Sequence, residues 1–76
     1  MEWVKVTYPD DRTVFVDKKQ RPSGRTNRKF SVGEGTHRFR LGGARDYAPA
    51  SVERTVVDTS EFRPLVIDVF HPKDPT

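Results

Sequence analysis

His37 and His71 are the only side chains in this sequence whose ordinary pKa lies near neutrality. His37 sits in the run THRFRL, on the same predicted face as Phe39 and Leu41. General-base work there needs a partner within hydrogen-bond reach and a pocket to act in. Asp17 and Asp68 are the carboxylates that could supply the partner. A half-buried, hydrogen-bonded histidine is structural unless a nucleophile and a substrate site adjoin it. No Ser-His-Asp order, paired-carboxylate motif, P-loop or metal-ligand spacing occurs, so the structural reading is favoured. His71 lies between Phe70 and Pro72, at the start of the expected tail, and reads as solvated. Asp10-Asp11 is a turn pair, and two carboxylates on one loop fall short of the 6–8 oxygens that calcium takes. The chain has no cysteine, which excludes disulfides and thiolate–metal sites. Two histidines are too few for zinc without carboxylate help. The expectation is a chain without catalytic activity, metal or cofactor.

The cations offer a second kind of chemistry. Arg25, Lys29, Arg38 and Arg40 fall on polar positions of neighbouring predicted strands and form a possible anion-binding face, which Lys18, Lys19 and Arg21 could extend. Rows of cations suit a phosphate backbone or an acidic glycan. Outward charges on strands also keep sheet edges from pairing with other chains, and that reading needs no ligand. Trp3 and Phe15 stand opposite Val4, Val6, Val14 and Val16. If exposed and contiguous they form a possible protein interface; alternatively Trp3 covers an open end of the fold.

These side chains are carried by short alternating segments. Trp3–Tyr8 puts Val4, Val6 and Tyr8 on one face, the period-2 pattern of a half-buried strand. Pro9–Arg12 is a turn, and Thr13–Asp17 a second strand. Lys18–Gly24 is a polar loop. Arg25–Val32 reads as one strand with Arg28, Phe30 and Val32 on one side. Gly33-Glu34-Gly35 reads as the turn of a hairpin into Thr36–Leu41. Gly42–Ala50 breaks the pattern, Ser51–Val57 resumes it, Asp58–Glu61 is a turn, and Phe62–Phe70 is the last strand. Pro64 cannot donate to a ladder, so that strand either starts after it or lies on an edge there. His71–Thr76, with two prolines, reads as a disordered tail. Val14, Val16, Phe30, Val32, Phe39 and Leu41 are expected to form half the core.

Composition agrees with strands. Val, Ile, Leu and Phe make up about 24% of the 76 residues, just above the roughly 20% below which disorder is expected. Val and Phe dominate, as suits a pleated surface. The net charge is +3, from 14 basic and 11 acidic residues, which allows anionic partners without requiring them. There is no repeat and no apolar run near the roughly 20 residues of a membrane span. Nothing at the start reads as a secretory signal, so the expectation is a soluble, cytoplasmic chain unless it is excised from a larger envelope protein.

The residues Pro9, Val14-Phe15-Val16-Asp17, Gly24-Arg25-Thr26, Phe30-Ser31-Val32, Gly33-Glu34-Gly35-Thr36-His37-Arg38-Phe39, Tyr47-Ala48-Pro49 and Leu65-Val66-Ile67-Asp68-Val69 follow a familiar order. Over about Val4 to Val69 the chain resembles the PEGA domain family of bacteria and archaea. Departures fall at turns, around Asp11–Thr13 and at Lys18, Asn27 and Asp46. The alternating segments predict six or seven strands, no substantial helix and one domain over residues 1–70, and the resemblance implies a small antiparallel β-sandwich of the prealbumin-like or carboxypeptidase-regulatory-like type. It implies a non-catalytic structural or protein-interaction module, engaging a protein partner or a second copy of itself. The alternative is a binder of anionic polymers, nucleic acid or acidic glycan, through the basic hairpin face.

Overall fold

The computed structural model describes residues 1–73. Among them there is no helix, and nine short strands form three sheets. They are β1 (Glu2–Val6), β2 (Thr13–Val16), β3 (Gly24–Arg25), β4 (Lys29–Val32), β5 (Gly35–Leu41), β6 (Tyr47–Ala48), β7 (Val52–Val56), β8 (Leu65–Ile67) and β9 (His71–Pro72). One sheet has the order β4-β1-β8, a second β3-β2-β5-β7, and β6 pairs with β9. The all-β class is therefore observed. The count exceeds the expected six or seven, and one pairing is not antiparallel: β8 runs parallel to β1, with Lys5 opposite Val66.

Alternation holds along β1, β2, β4 and β5. Val4, Val6, Tyr8, Val14, Val16, Phe30, Val32, Phe39 and Leu41 are all buried and belong to one apolar cluster with Tyr47, Val56, Ile67 and Phe70. Both larger sheets contribute to it. Burying these Val and Phe side chains supplies roughly 1.5–3 kcal/mol each, before the entropy of ordering the chain is set against it.

Three differences alter the geometry of the candidate sites. First, Gly33-Glu34-Gly35 is not a hairpin turn. β4 pairs with β1, whereas β5 pairs with β2 and β7. The chain passes from one sheet to the other, so Phe30 and Val32 reach the core from a different sheet than Phe39 and Leu41. Period-2 burial is the same for strands that lie side by side and for strands in facing sheets.

Second, Arg25–Val32 is not one strand. It breaks at Thr26–Arg28, where the chain leaves the four-stranded sheet for the three-stranded one. Asn27 takes a left-handed φ of 64°, which asparagine tolerates better than most residues. Its side-chain amide donates to the Tyr8 carbonyl at 2.7 Å while its Oδ1 accepts from the Tyr8 amide at 3.2 Å. Thr26 is 2% exposed. Its hydroxyl donates to the Asp10 carbonyl at 2.7 Å and accepts from the Arg12 amide at 2.9 Å. Gly24 lies so close to the Phe30 ring that any Cβ would collide with it.

Third, the expected last strand is regular only at Leu65–Ile67. Alternation fails after Ile67, and Phe70 turns into the core while Val69 is half-buried. His71–Pro72, expected in a tail, pair with Tyr47–Ala48 inside the loop expected to be irregular, and the Lys73 amide donates to the Asp46 carbonyl at 2.8 Å. The remainder of that expected tail, 74–76, lies outside the described residues.

Candidate functional site

His37 projects from β5 beside Phe39, the two rings meeting edge to face with centroids 6.4 Å apart. Asp17 ends β2 at a left-handed φ of 59°, and its amide donates to the Arg38 carbonyl at 2.7 Å. That bend aims its carboxylate back at β5. Oδ2 lies 2.8 Å from His37 Nδ1, and Oδ1 accepts from the Arg38 amide at 3.1 Å. His37 Nε2 lies 2.6 Å from the Gly33 carbonyl. Both ring nitrogens thus face acceptors, an arrangement that only the doubly protonated imidazolium satisfies fully. The Asp17 bond, reinforced by the Gly33 carbonyl and opposed by partial burial, raises the His37 pKa above its ordinary 6.5. The same bond, with help from the Arg38 amide, holds Asp17 below the usual carboxylate value. Of the two carboxylates considered for His37, Asp17 is the partner. A ring with both nitrogens engaged has none left to take a proton from a substrate. Among the described residues no group of three or more His, Cys, Asp or Glu is placed to hold a metal ion.

The expected basic face assembles only in part: Arg25, Arg38 and Arg40 stand on the outer face of the four-stranded sheet, and Lys29 does not join them. Lys29 belongs to β4 in the three-stranded sheet, and Arg38 and Arg40 to β5 in the other. Arg25, on β3, pairs with Asp11 at 3.1 Å. Arg38 reaches Glu53 on β7 at 3.6 Å, both side chains being well exposed. The Arg40 guanidinium stacks over the Phe15 ring, 4.3 Å from its centroid. Lys29 Nζ donates to the Glu61 carbonyl at 2.9 Å. What the structure does gather is Arg25, Arg28 and Lys29, which together line one cleft at the corner between β3 and β4. Arg28 had been placed inward with Phe30. The clue against that was electrostatic, because an unpaired guanidinium does not enter a core and the alternation had to fail before it.

Trp3 and Phe15 do not form a common patch, because they stand on strands of different sheets. Each is half-buried, Phe15 beneath Arg40. The exposed apolar side chains lie elsewhere. Phe62 is 90% exposed and Val66 52% exposed. Val66 is on the outer face of β8, and Phe62 is on the connection leading into that strand. This connection is tied down along its length. The Thr59 hydroxyl donates to Glu2 at 2.8 Å and accepts from the Trp3 amide at 2.7 Å. Glu61 accepts from Lys29, and Ser60 and Arg63 exchange backbone hydrogen bonds at 3.2 and 3.1 Å. Sequence reading had assigned Phe62 to the last strand. Pro64, which cannot donate to a ladder, was the available sign that the strand starts after it and leaves Phe62 outside.

One further cluster had no signal in the sequence. Arg12 is 14% exposed. It donates to the carbonyls of Gly42 and Ala44 at 3.2 and 2.8 Å and to the Asp46 carboxylate at 2.6 Å. Its guanidinium carbon lies 5.5 and 5.9 Å from the ring centroids of Tyr8 and Tyr47, within cation–π range. Tyr47 in turn donates to the Leu41 carbonyl at 2.8 Å and accepts from the Leu41 amide at 3.2 Å. The hydrogen bond to Asp46 pushes the Arg12 pKa further up, and desolvation raises that of the Tyr8 phenol. This cluster fastens the 42–46 loop to the core.

Compared with known proteins, the chain matches no family model, no curated protein and no solved structure.

Proposed function

We propose that this chain is a non-catalytic structural and protein-interaction module, a small β-sandwich of PEGA-like type. The sandwich reading is supported by the single core cluster to which the inward residues of both larger sheets contribute. The PEGA-like reading rests on the sequence resemblance over about Val4 to Val69, whose motif residues have structural roles in this chain. Gly24 accommodates Phe30, Thr26 locks the corner, and Tyr47 closes on Leu41. The non-catalytic reading is supported by the double engagement of His37. Among the described residues, no buried side-chain polar atom lacks a partner.

The observation that carries the interaction reading is Phe62. A phenylalanine 90% exposed on a loop fixed by backbone hydrogen bonds is presented at little entropic cost to a partner. Aromatic anchors of this kind dominate protein interfaces. Val66 adds apolar area on the neighbouring strand. The partner to test first is a second copy of the chain. Sedimentation velocity across a concentration series should show reversible self-association that Phe62→Ser with Val66→Thr abolishes. Wild-type protein that stays monomeric at every concentration, or a double variant that associates as the wild type does, would overturn self-association through this surface.

A further inference from the structure

The corner where the chain changes sheets, between β3 and β4, holds a cleft of about 430 Å³. Thr13, Ser23, Arg25, Arg28 and Lys29 line it, and among the described residues no acidic residue does. The corner is held from both sides. Buried Thr26 is bonded to Asp10 and Arg12, and Asn27 closes a reciprocal pair with Tyr8. Arg25 and Arg28 flank those two anchors, so their backbones are fixed before any ligand arrives. The cations keep capacity to bind. The Arg28 guanidinium has no hydrogen-bond or ion-pair partner among the described residues. Arg25 keeps 49% of its side chain exposed despite Asp11. Lys29 commits one of its three protons to Glu61.

We propose that this cleft binds a segment of a linear acidic polysaccharide. Sulfate or carboxylate groups along the polymer meet Arg25, Arg28 and Lys29, and sugar hydroxyls meet Ser23. The three charges stand on β3, on the corner and on β4, which suits anions repeated along a chain rather than one small ion. A nucleic acid strand fits less well. Binders of single strands stack bases on exposed aromatic rings, and the one aromatic residue in the lining, Phe30, is 8% exposed. The two surfaces meet only at Lys29, whose Nζ also holds the Glu61 carbonyl beside Phe62; Arg25, Arg28 and Ser23 belong to the cleft alone, so variants at Arg28 and at Phe62 separate the two readings.

The test is fluorescence anisotropy of a labelled heparin octasaccharide titrated with the full chain at low and rising salt. Arg28→Glu should weaken binding about tenfold, the loss expected for roughly one strong charge contact. Arg54→Glu makes the same charge change on β7, three strand spacings or roughly 14 Å from β3, and should weaken it less than about threefold. Amide shifts in a ¹⁵N spectrum should concentrate between Ser23 and Phe30. Circular dichroism of Arg28→Glu matching the wild type assures that the variant is folded. Three results would overturn the proposal: equal losses for the two variants, amide shifts centred on Arg38 and Arg40, or tighter binding of a single-stranded oligonucleotide of matched charge.

Discussion

The His37 ring bridges the Asp17 carboxylate and the Gly33 carbonyl, 2.8 Å from one and 2.6 Å from the other, and so joins the end of β2 to the crossover that leads into β5. The bridge is complete only when the imidazole is protonated, and this gives it a pH dependence of known sign.

Because the folded His37 pKa is raised above 6.5, its contribution is fully present below about pH 6.5 and is lost as pH rises through the folded value. Asp17 is lowered below 3.8, so its contribution is present above about pH 3.8 and is lost as pH falls through the depressed value. Urea midpoints should therefore be highest between those limits and should decline on the alkaline side. His37→Gln should remove the alkaline decline. A wild type whose midpoint is flat from pH 6 to 9 would contradict the bridge, as would a His37 ring that titrates below 6.5 by NMR.

Arg12 should prove more important than its ion pair. Arg12→Lys loses the planar fork that serves two carbonyls and a carboxylate, and should destabilise by about 1–3 kcal/mol. Asp46 is 60% exposed, so Asp46→Asn should cost less than about 1 kcal/mol. Urea unfolding of the two variants ranks them. The reverse order would mean that the ion pair, and not the carbonyl contacts, fastens the loop.

Asn27 combines two effects that substitution can separate. Asn27→Gly keeps the left-handed φ and loses both bonds to Tyr8, costing about 1 kcal/mol. Asn27→Ala loses the bonds and also bears the left-handed strain, adding about 1 kcal/mol. Equal melting temperatures for the two variants would show that the backbone relaxes away from the observed φ of 64°.

Gly24→Ala should destabilise by about 1–3 kcal/mol, because the new methyl group meets the Phe30 ring and must displace it. Gly33→Ala is the comparison, since a Cβ there meets nothing within 4 Å, and it should leave the melting temperature nearly unchanged.

The sequence carried the burial of nearly every strand residue, because alternation depends only on which face a side chain takes. Val4, Val14 and Phe39 could be placed from that pattern alone. It could not carry neighbour relations. Val32 and Phe39 have the same alternation whether their strands lie side by side or in facing sheets, so the crossover at Gly33–Gly35 was read as a hairpin. Grouping Lys29 with Arg38 and Arg40 depended on that hairpin, and Lys29 alone separated when the hairpin proved a crossover. The pairing of Asp17 with His37 was legible as a choice between two aspartates, since both were acidic ends of apolar runs. The choice itself depends on a left-handed bend at Asp17 that no neighbouring glycine announced. Arg12 was unreadable for another reason. Its partners are mostly backbone carbonyls, and these leave no mark on residue type.

The parallel pairing of β8 with β1 fixes an order of events during synthesis. β1 is the central strand of its sheet, flanked by the segments Lys29–Val32 and Leu65–Ile67. As the chain is made, Val4 and Val6 emerge first and wait for their second neighbour until some sixty residues have followed. Loop closure over such separations slows folding. The opening strand therefore spends the time of translation with one edge unpaired, and Lys5, which comes to stand opposite Val66 across that edge, places charge there while it is open to other nascent chains.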